Sequence, residues 1–251
     1  MTLALSDPAL SQLRAAFAPS GVLRAAINVG NPVLAAVDDG PDGARGVSVD
    51  LARAWAGILG VPLQLVVVDK AAESVAAVSD ARADIGFFAI DPARATTIAF
   101  TSPYVLIEGW YAVPQGSPIQ DVAQVDAPGV RVAVAHGSAY DLHLSRALKQ
   151  ATLMRAPTAP AGFGLYLSAG LEVAAGVRQQ LESDLRAHPG HRLLDGRFMV
   201  IRQAMGVARD RGDAAAQALC AFVESVKASG AVAAALARHG IDGAQVAPLG
   251  P

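Results

Sequence analysis

The sequence predicts an α/β fold in two lobes, each a mostly parallel sheet flanked by helices. Three observations predict it. Strand-like and helix-like segments alternate over the first ninety residues, an order that gives parallel strands covered by helices. A second alternating series begins near Val130. Two long extended segments, Val105 to Val113 and Phe198 to Ala208, bracket the middle third of the chain and read as crossings between lobes. At ~100–200 residues per domain, a chain of 251 residues has room for two small domains. The crossings assign residues 1–107 and 203–251 to lobe 1 and residues 108–202 to lobe 2.

The elements follow in order. Asp7-Pro8 reads as a helix N-cap with proline in the first turn. Val22 to Asn28 is extended, and a turn-rich stretch, Asp38 to Gly43, follows. Val49, Leu51, Ala52, Trp55, Ala56 and Leu59 recur at helical spacing, with Trp55 in the core, and Gly60 stops that helix. Leu63 to Val68 is a β-branched run of the kind buried on both sheet faces. Ala71 to Arg82 is a helix and Ala83 to Ala89 a buried strand. In the middle third, strands at Val130–Ala135, Thr152–Ala156 and Leu171–Val177 alternate with helices at Ser138–Gln150, Gly162–Ala169 and Arg178–His188. Helices at Asp213–Ser229 and Ala231–His239 close the chain.

Composition excludes several classes. A hydrophobic content of 53% with a net charge of −2 excludes disorder. Lys and Arg number 20 against 22 Asp and Glu, which leaves no positive field for nucleic acid. The apolar runs, Val61 to Val68 and Ile85 to Ile90, fall far short of the ~20 residues a bilayer requires, so no membrane insertion is expected. The single Cys220 has no partner for an intramolecular disulfide and reads as a small buried side chain. The five histidines are scattered, His188 and His191 in a loop-like stretch, and no Cys/His spacing suggests a metal. No metal and no cofactor are expected. Met1 to Arg14 has neither a basic start nor a sustained apolar core. Either the protein is not exported, or the sequence begins after a processing site or at a misplaced start.

The most informative stretch runs from Arg82 through Asp84, Asp91-Pro92 and Arg94 to Pro103-Tyr104. A buried strand ends near Ala89, the chain turns at Asp91-Pro92, and Arg94 follows. Ligands of open α/β sheets bind beyond the carboxyl ends of the strands. An arginine there offers a planar fork matched to a carboxylate, or else pairs with Asp91 or Asp84. Ser138, His136 and Asp141 bring triad residue types together, but nothing orders them as nucleophile, base and orienter. No catalytic residue is expected.

Arg24-Ala-Ala-Ile27, Gly46-Val-Ser-Val-Asp50-Leu, Arg82-Ala-Asp84-Ile, Arg94 and Phe100-Thr-Ser-Pro103-Tyr104 fall in an order that resembles bacterial extracellular solute-binding proteins of family 3. These are polar amino-acid binding components of ABC transporters. Val130 to Ser138 resembles the family's strand and loop into the second lobe, and Gly206 to Asp210 its return strand. The resemblance implies a type 2 periplasmic-binding-protein fold that closes on a ligand between its lobes, a periplasmic location, an ABC permease as partner, and a monomer. By position, Arg94 matches the arginine that clamps a ligand carboxylate. Gly137, Ser138 and the Ala139 N–H match the rest of that anion site, which would also gain from a helix N-terminus. Asn31 falls where the family often has an aromatic lid, Phe87 and Ala89 fall where amino-acid binders often have small polar residues, and Phe87, Phe88 and Ala89 make the first-lobe wall apolar.

One departure bears on the ligand. Val177 falls where amino-acid binders carry the acid that receives the ammonium group. An ammonium buried against valine loses its counter-charge, at a cost of several kcal/mol. Glu172, five residues away and of opposite parity, is expected to face elsewhere. The expected ligand is therefore a small carboxylate other than a standard α-amino acid. If Arg178 points inward it welcomes a second anionic group; if it faces solvent, the ligand is a monocarboxylate with an apolar body. The alternatives are a cytoplasmic metabolite sensor and an enzyme resembling cyclohexadienyl dehydratases. For the latter the matching position again offers only Val177.

Overall fold

A computed structural model describes residues 7–250, the side chain of Asp7 excepted. The readings of Met1 to Ser6 and of the Asp7 cap lie outside the described residues. The chain divides into two compact units, one holding the residues up to Val105 and from Arg202 onward, the other Leu106–Ile201.

Unit 1 begins with α1 (Asp7–Phe17), β1 (Leu23–Asn28), a hairpin of β2 (Ala36–Val37) and β3 (Ala44–Arg45), and α2 (Val47–Leu59). It continues with β4 (Leu63–Val68), α3 (Ala71–Ser79) and β5 (Ile85–Ala89). The chain passes into unit 2 within β6 (Ile98–Pro114). There follow β7 (Arg131–Ala135), α4 (Ala139–Ala147), β8 (Thr152–Ala156), α5 (Ala159–Ser168), β9 (Val173–Val177), α6 (Arg178–Ala187) and β10 (His191–Leu193). It returns within β11 (Met199–Ala208) and closes unit 1 with α7 (Asp213–Ala228), α8 (Ala231–Arg238) and β12 (Gln245–Val246).

In unit 1 the strands lie in the order β4-β1-β5-β11-β6. β1 is parallel to β4 from Leu23↔Leu63 to Asn28↔Val68 and parallel to β5 at Ala25↔Ile85 and Ala26↔Gly86. β11 runs antiparallel to β5, with Gln203 opposite Ala89. In unit 2 the order is β6-β9-β7-β8. β7 is parallel to both neighbours, and β6 is antiparallel to β9 with Gly109 opposite Val177. The sheets are thus mostly parallel, and the long crossing strands supply the antiparallel pairs.

The core of unit 1 packs Trp55 edge-on against Phe17 at 5.1 Å and beside Phe222 at 5.0 Å, which ties α1, α2 and α7 together. α2 ends where expected: Gly60 takes φ 63°, the left-handed region that glycine enters at least cost. Two expectations need correction. β4 is not buried on both faces. It terminates the strand order, so Gln64 and Val67 are exposed and the β-branched run serves an edge. His191 does not lie in a loop; His191–Leu193 pairs with Pro114–Ala112 of β6. A three-residue strand carries too short an alternation to be recognised without its partner. Cys220 is half-buried, its Sγ accepting the Ser102 N–H at 3.5 Å.

Both units use the same staple where their sheets begin. In unit 1 the backbone N–H, Nε and Nη2 of Arg24 donate to Asp84 at 2.9, 3.0 and 2.9 Å. In unit 2 the backbone N–H, Nε and Nη2 of Arg131 donate to Glu172 at 2.7, 3.0 and 2.8 Å. Each pair locks the start of one parallel strand to the residue preceding another. Glu172 is therefore spoken for, and Arg131 holds its carboxyl below the usual range. The two side chains stay 42% and 35% exposed, so solvent screens the pair. Glu172→Gln is expected to cost about 1 kcal/mol or less in urea unfolding.

Candidate functional site

The first cluster belongs to unit 1. Asn28 ends β1 and Ala89 ends the adjacent, parallel β5, so the loops after both strands leave the sheet at its carboxyl edge. After β5, Asp91 Oδ1 accepts the Ala93 N–H at 2.8 Å and the Asp91 carbonyl accepts the Ala95 N–H at 2.9 Å. This Asp-Pro turn starts a short 3₁₀ turn, Arg94–Thr96, and folds Arg94 back on the strand. Arg94 Nη1 donates to the Ala89 carbonyl at 3.2 Å. Ala89 lies beyond the last β1–β5 pair, so its carbonyl is open to the guanidinium. Arg94 is only 7% exposed. Burial lowers its pKa against the opposing charge of Asp91, yet a guanidinium stays protonated. The result is a cation withdrawn from bulk water at the end of a central strand.

The wall around it divides by strand parity. Phe87 stands edge-on to Tyr104 at 6.1 Å. Burial pushes the Tyr104 phenol well above its ordinary pKa, and its oxygen lies 3.4 Å from Ser48 Oγ. Phe88 points to the other face, into a cluster with Ile98, Val78 and Ala26, with Phe100 packed at 6.1 Å. The structure therefore does not bring Phe88 together with Phe87 and Ala89: a side chain of that parity fills the core. Asn31 lies in the loop after β1, half-buried, and its carbonyl accepts the N–H groups of Leu34 and Ala35 at 3.1 Å each. Asn28 Oδ1 caps the Gly30 N–H at 3.0 Å. Gly30 is required there, since a Cβ would stand 2.0 Å from the Asp69 carbonyl.

The second cluster belongs to unit 2. Ser138 is the N-cap of α4, its Oγ accepting the Asp141 N–H at 3.1 Å. Asp141 answers by accepting the Gly137 N–H at 2.8 Å. Its carboxylate is buried and also accepts from Arg155 Nε at 3.0 Å and Ser145 Oγ at 3.2 Å. The Ser138–Asp141 spacing seen in the sequence is thus a reciprocal cap, with no nucleophile in it. The N–H groups of Ala139 and Tyr140 have no acceptor among the described residues. Burial pushes the Tyr140 phenol, hydrogen-bonded to Ser138, up to about 12.

Val177 ends β9 and precedes Arg178, the first residue of α6. Arg178 Nε donates to Glu182 at 2.7 Å, and its guanidinium carbon lies 4.6 Å from the Trp110 ring centre. The Trp110 indole N–H donates to Glu108 at 2.9 Å, and Glu108 also holds Arg197 at 2.6 Å. Arg178 is consequently paired within its own unit.

Two features escaped the sequence. Arg155 is visible there only as one more charge in a strand; its pairing with Asp141 appears once β8 lies beside β7. Gln203 is 6% exposed, stands opposite Ala89, and its side-chain amide has no partner among the described residues. The β5–β11 pairing that puts it there joins residues more than a hundred positions apart.

Two α/β units, one continuous and one completed by the returning chain, each with a mostly parallel sheet, are the type 2 periplasmic-binding-protein fold. The chain belongs to the bacterial extracellular solute-binding proteins, family 3, whose model matches residues 23–241. It is a solute-binding protein of that family. It is similar to an amino acid ABC transporter substrate-binding protein, AbpA, from Streptococcus pneumoniae bound to L-arginine. The identity is 19%, the match covers 89% of this chain and 96% of that one, and the TM-score is 0.74. It is also similar to a histidine kinase sensor domain (18% identity, 90% and 98% covered, TM-score 0.74). A third likeness is to the ancestral amino-acid-binding protein AncCDT-1, a precursor of cyclohexadienyl dehydratase (18% identity, 91% and 98% covered, TM-score 0.72). At these identities the likeness shows the fold alone. No curated protein matches the sequence.

Proposed function

We propose that this protein captures a small carboxylate lacking an α-amine, without catalysis, for delivery to an ABC-type permease. The observation that carries this is Arg94, a charged fork nine-tenths withdrawn from water at the carboxyl end of β5. Phe87 and Ala89 supply apolar surface beside it. In unit 2, the open Ala139 N–H and the Ser138 cap are proposed as anion donors. Three observations favour an amine-free ligand. Val177 brings no charge, Glu172 is locked to Arg131, and the Asp141 carboxylate is satisfied by Gly137, Ser145 and Arg155. Because Arg178 is engaged by Glu182 and Trp110, a monocarboxylate with an apolar body fits better than a dicarboxylate. Function as a monomer in the periplasm completes the proposal, on the strength of the family.

Calorimetry tests it with 4-methylpentanoate and phenylacetate, their neutral amides, and leucine. The two carboxylates are expected to bind at least about tenfold tighter than their amides, a difference of about 1.4 kcal/mol. Leucine as the tightest of the set, or amides equal to acids, overturns the reading.

A further inference from the structure

Gln203 is a largely buried glutamine whose side-chain amide bonds no described residue and is not among the fully enclosed polar groups. It lies on β11 directly opposite Ala89, the residue whose carbonyl holds Arg94 Nη1. Residues opposed across an antiparallel pair point to the same sheet face, with Cβ atoms about 4.5–5.5 Å apart. Gln203 therefore shares the face of Ala89 and Phe87, opposite to that of Phe88 and the core cluster. It is 6% exposed, and its amide has no hydrogen-bond partner among the described residues. The fold makes no use of that amide, which keeps contact with solvent and stays available to a ligand. Three neighbours on the strand show the alternative: Ala204, Met205 and Val207 are apolar and fully buried. An apolar side chain at position 203 would continue that run at no polar cost.

We infer that Gln203 is a specificity-determining residue that reads the atom next to the ligand carboxylate, and that the ligand class is a 2-oxo or 2-hydroxy monocarboxylate. This inference rests on the carboxylate reading given above. A carboxylate on Arg94 sets its α-carbon substituent within the reach of a side chain rooted opposite Ala89. A glutamine amide carries two N–H donors and one carbonyl acceptor and no charge. It donates to a 2-oxo oxygen and either donates to or accepts from a 2-hydroxyl. It cannot supply the negative charge that would compensate a buried ammonium, which agrees with the neutral Val177 in unit 2. A site built to hydrogen-bond a substituent discriminates strongly against an analogue lacking it, because its own polar group is then left unpaired.

The test compares wild type with Gln203→Leu, using 4-methyl-2-oxopentanoate, 2-hydroxy-4-methylpentanoate and unsubstituted 4-methylpentanoate in calorimetry. Thermal unfolding of both ligand-free proteins runs alongside. Wild type is expected to prefer the 2-oxo or the 2-hydroxy acid over 4-methylpentanoate by about tenfold or more. Gln203→Leu is expected to lose that preference while keeping its affinity for 4-methylpentanoate. The ligand-free variant is expected to melt no lower than wild type, since the amide bonds no described residue of the fold. If wild type binds all three acids equally, the Gln203 inference is overturned and the carboxylate reading stands. If none of the acids binds, both fall. A clearly lower melting temperature for ligand-free Gln203→Leu overturns the inference whatever binds, because it shows the amide serving the fold.

Discussion

Arg94→Leu is expected to weaken binding of 4-methylpentanoate or its 2-oxo analogue about a hundredfold or more, while barely moving the melting temperature. The two halves of that result have separate causes. Arg94 is almost removed from water, so a carboxylate meeting it forms a charge-assisted, potentially bidentate pair in a weakly screened setting. Truncating one member of such a pair typically costs 2–5 kcal/mol of binding, about 30-fold to several thousandfold. In the ligand-free protein the same guanidinium is a burden. Burial depresses its pKa, and the opposing charge of Asp91 and the bond to the Ala89 carbonyl at 3.2 Å offset only part of that desolvation. Leucine, shorter and uncharged, gives up that bond and removes the buried charge. Arg94→Lys keeps the charge without the fork and is expected to recover only part of the affinity. Calorimetry beside thermal unfolding reads both halves, and equal affinity in wild type and Arg94→Leu would remove this residue from recognition.

The second large effect falls on stability. Asp84→Asn is expected to cost about 3–5 kcal/mol in chemical unfolding, the range found when one member of a buried ion pair is removed. Asp84 is 0% exposed and accepts from the Arg24 backbone N–H, the Arg24 guanidinium and Arg211 Nη2 at 2.5 Å. Burial alone would raise its pKa, but the bonds from Arg24 and Arg211 outweigh that and hold it below the ordinary carboxylate value. A group whose folded pKa is depressed contributes stability above its unfolded pKa and loses it as pH falls through the folded one. The gap between wild type and Asp84→Asn is therefore expected to be fully present at pH 7 and to shrink progressively below about pH 4. A gap independent of pH would show that packing, and not charge, sets the cost. The contrast with Glu172 is instructive: the same staple in unit 2 stands more than a third exposed, and its loss is expected to matter little.

Much of this architecture was legible in the residues. The alternation of apolar runs with helical spacing located β1, α2, β5, β7, β8, α6 and α7 within a few positions, because each is set by local periodicity and by stops such as Gly60. The edge position of β4 was not, since a β-branched run looks alike whether one neighbour flanks it or two. Arg94 was picked out because an Asp-Pro turn after a buried strand is a local signal. Phe88 was grouped with Phe87 because adjacency in sequence conceals opposite facing in a strand. Gln203 and Arg155 were invisible for a different reason: what marks them is a pairing across distant segments, β5 with β11 and β7 with β8, and no local pattern encodes which strands will meet.

The division of the chain has a consequence during synthesis. The unit Leu106–Ile201 is one uninterrupted stretch, so it can finish folding soon after leaving the ribosome. The other unit cannot: most of β11 and all of α7 and α8 come from residues beyond 201. Until they emerge, β5 has an open flank where β11 belongs, and Trp55 waits for Phe222. A ribosome stalled before position 202 thus holds one finished half beside another with a bare strand edge, the kind of surface that invites chaperones or aggregation.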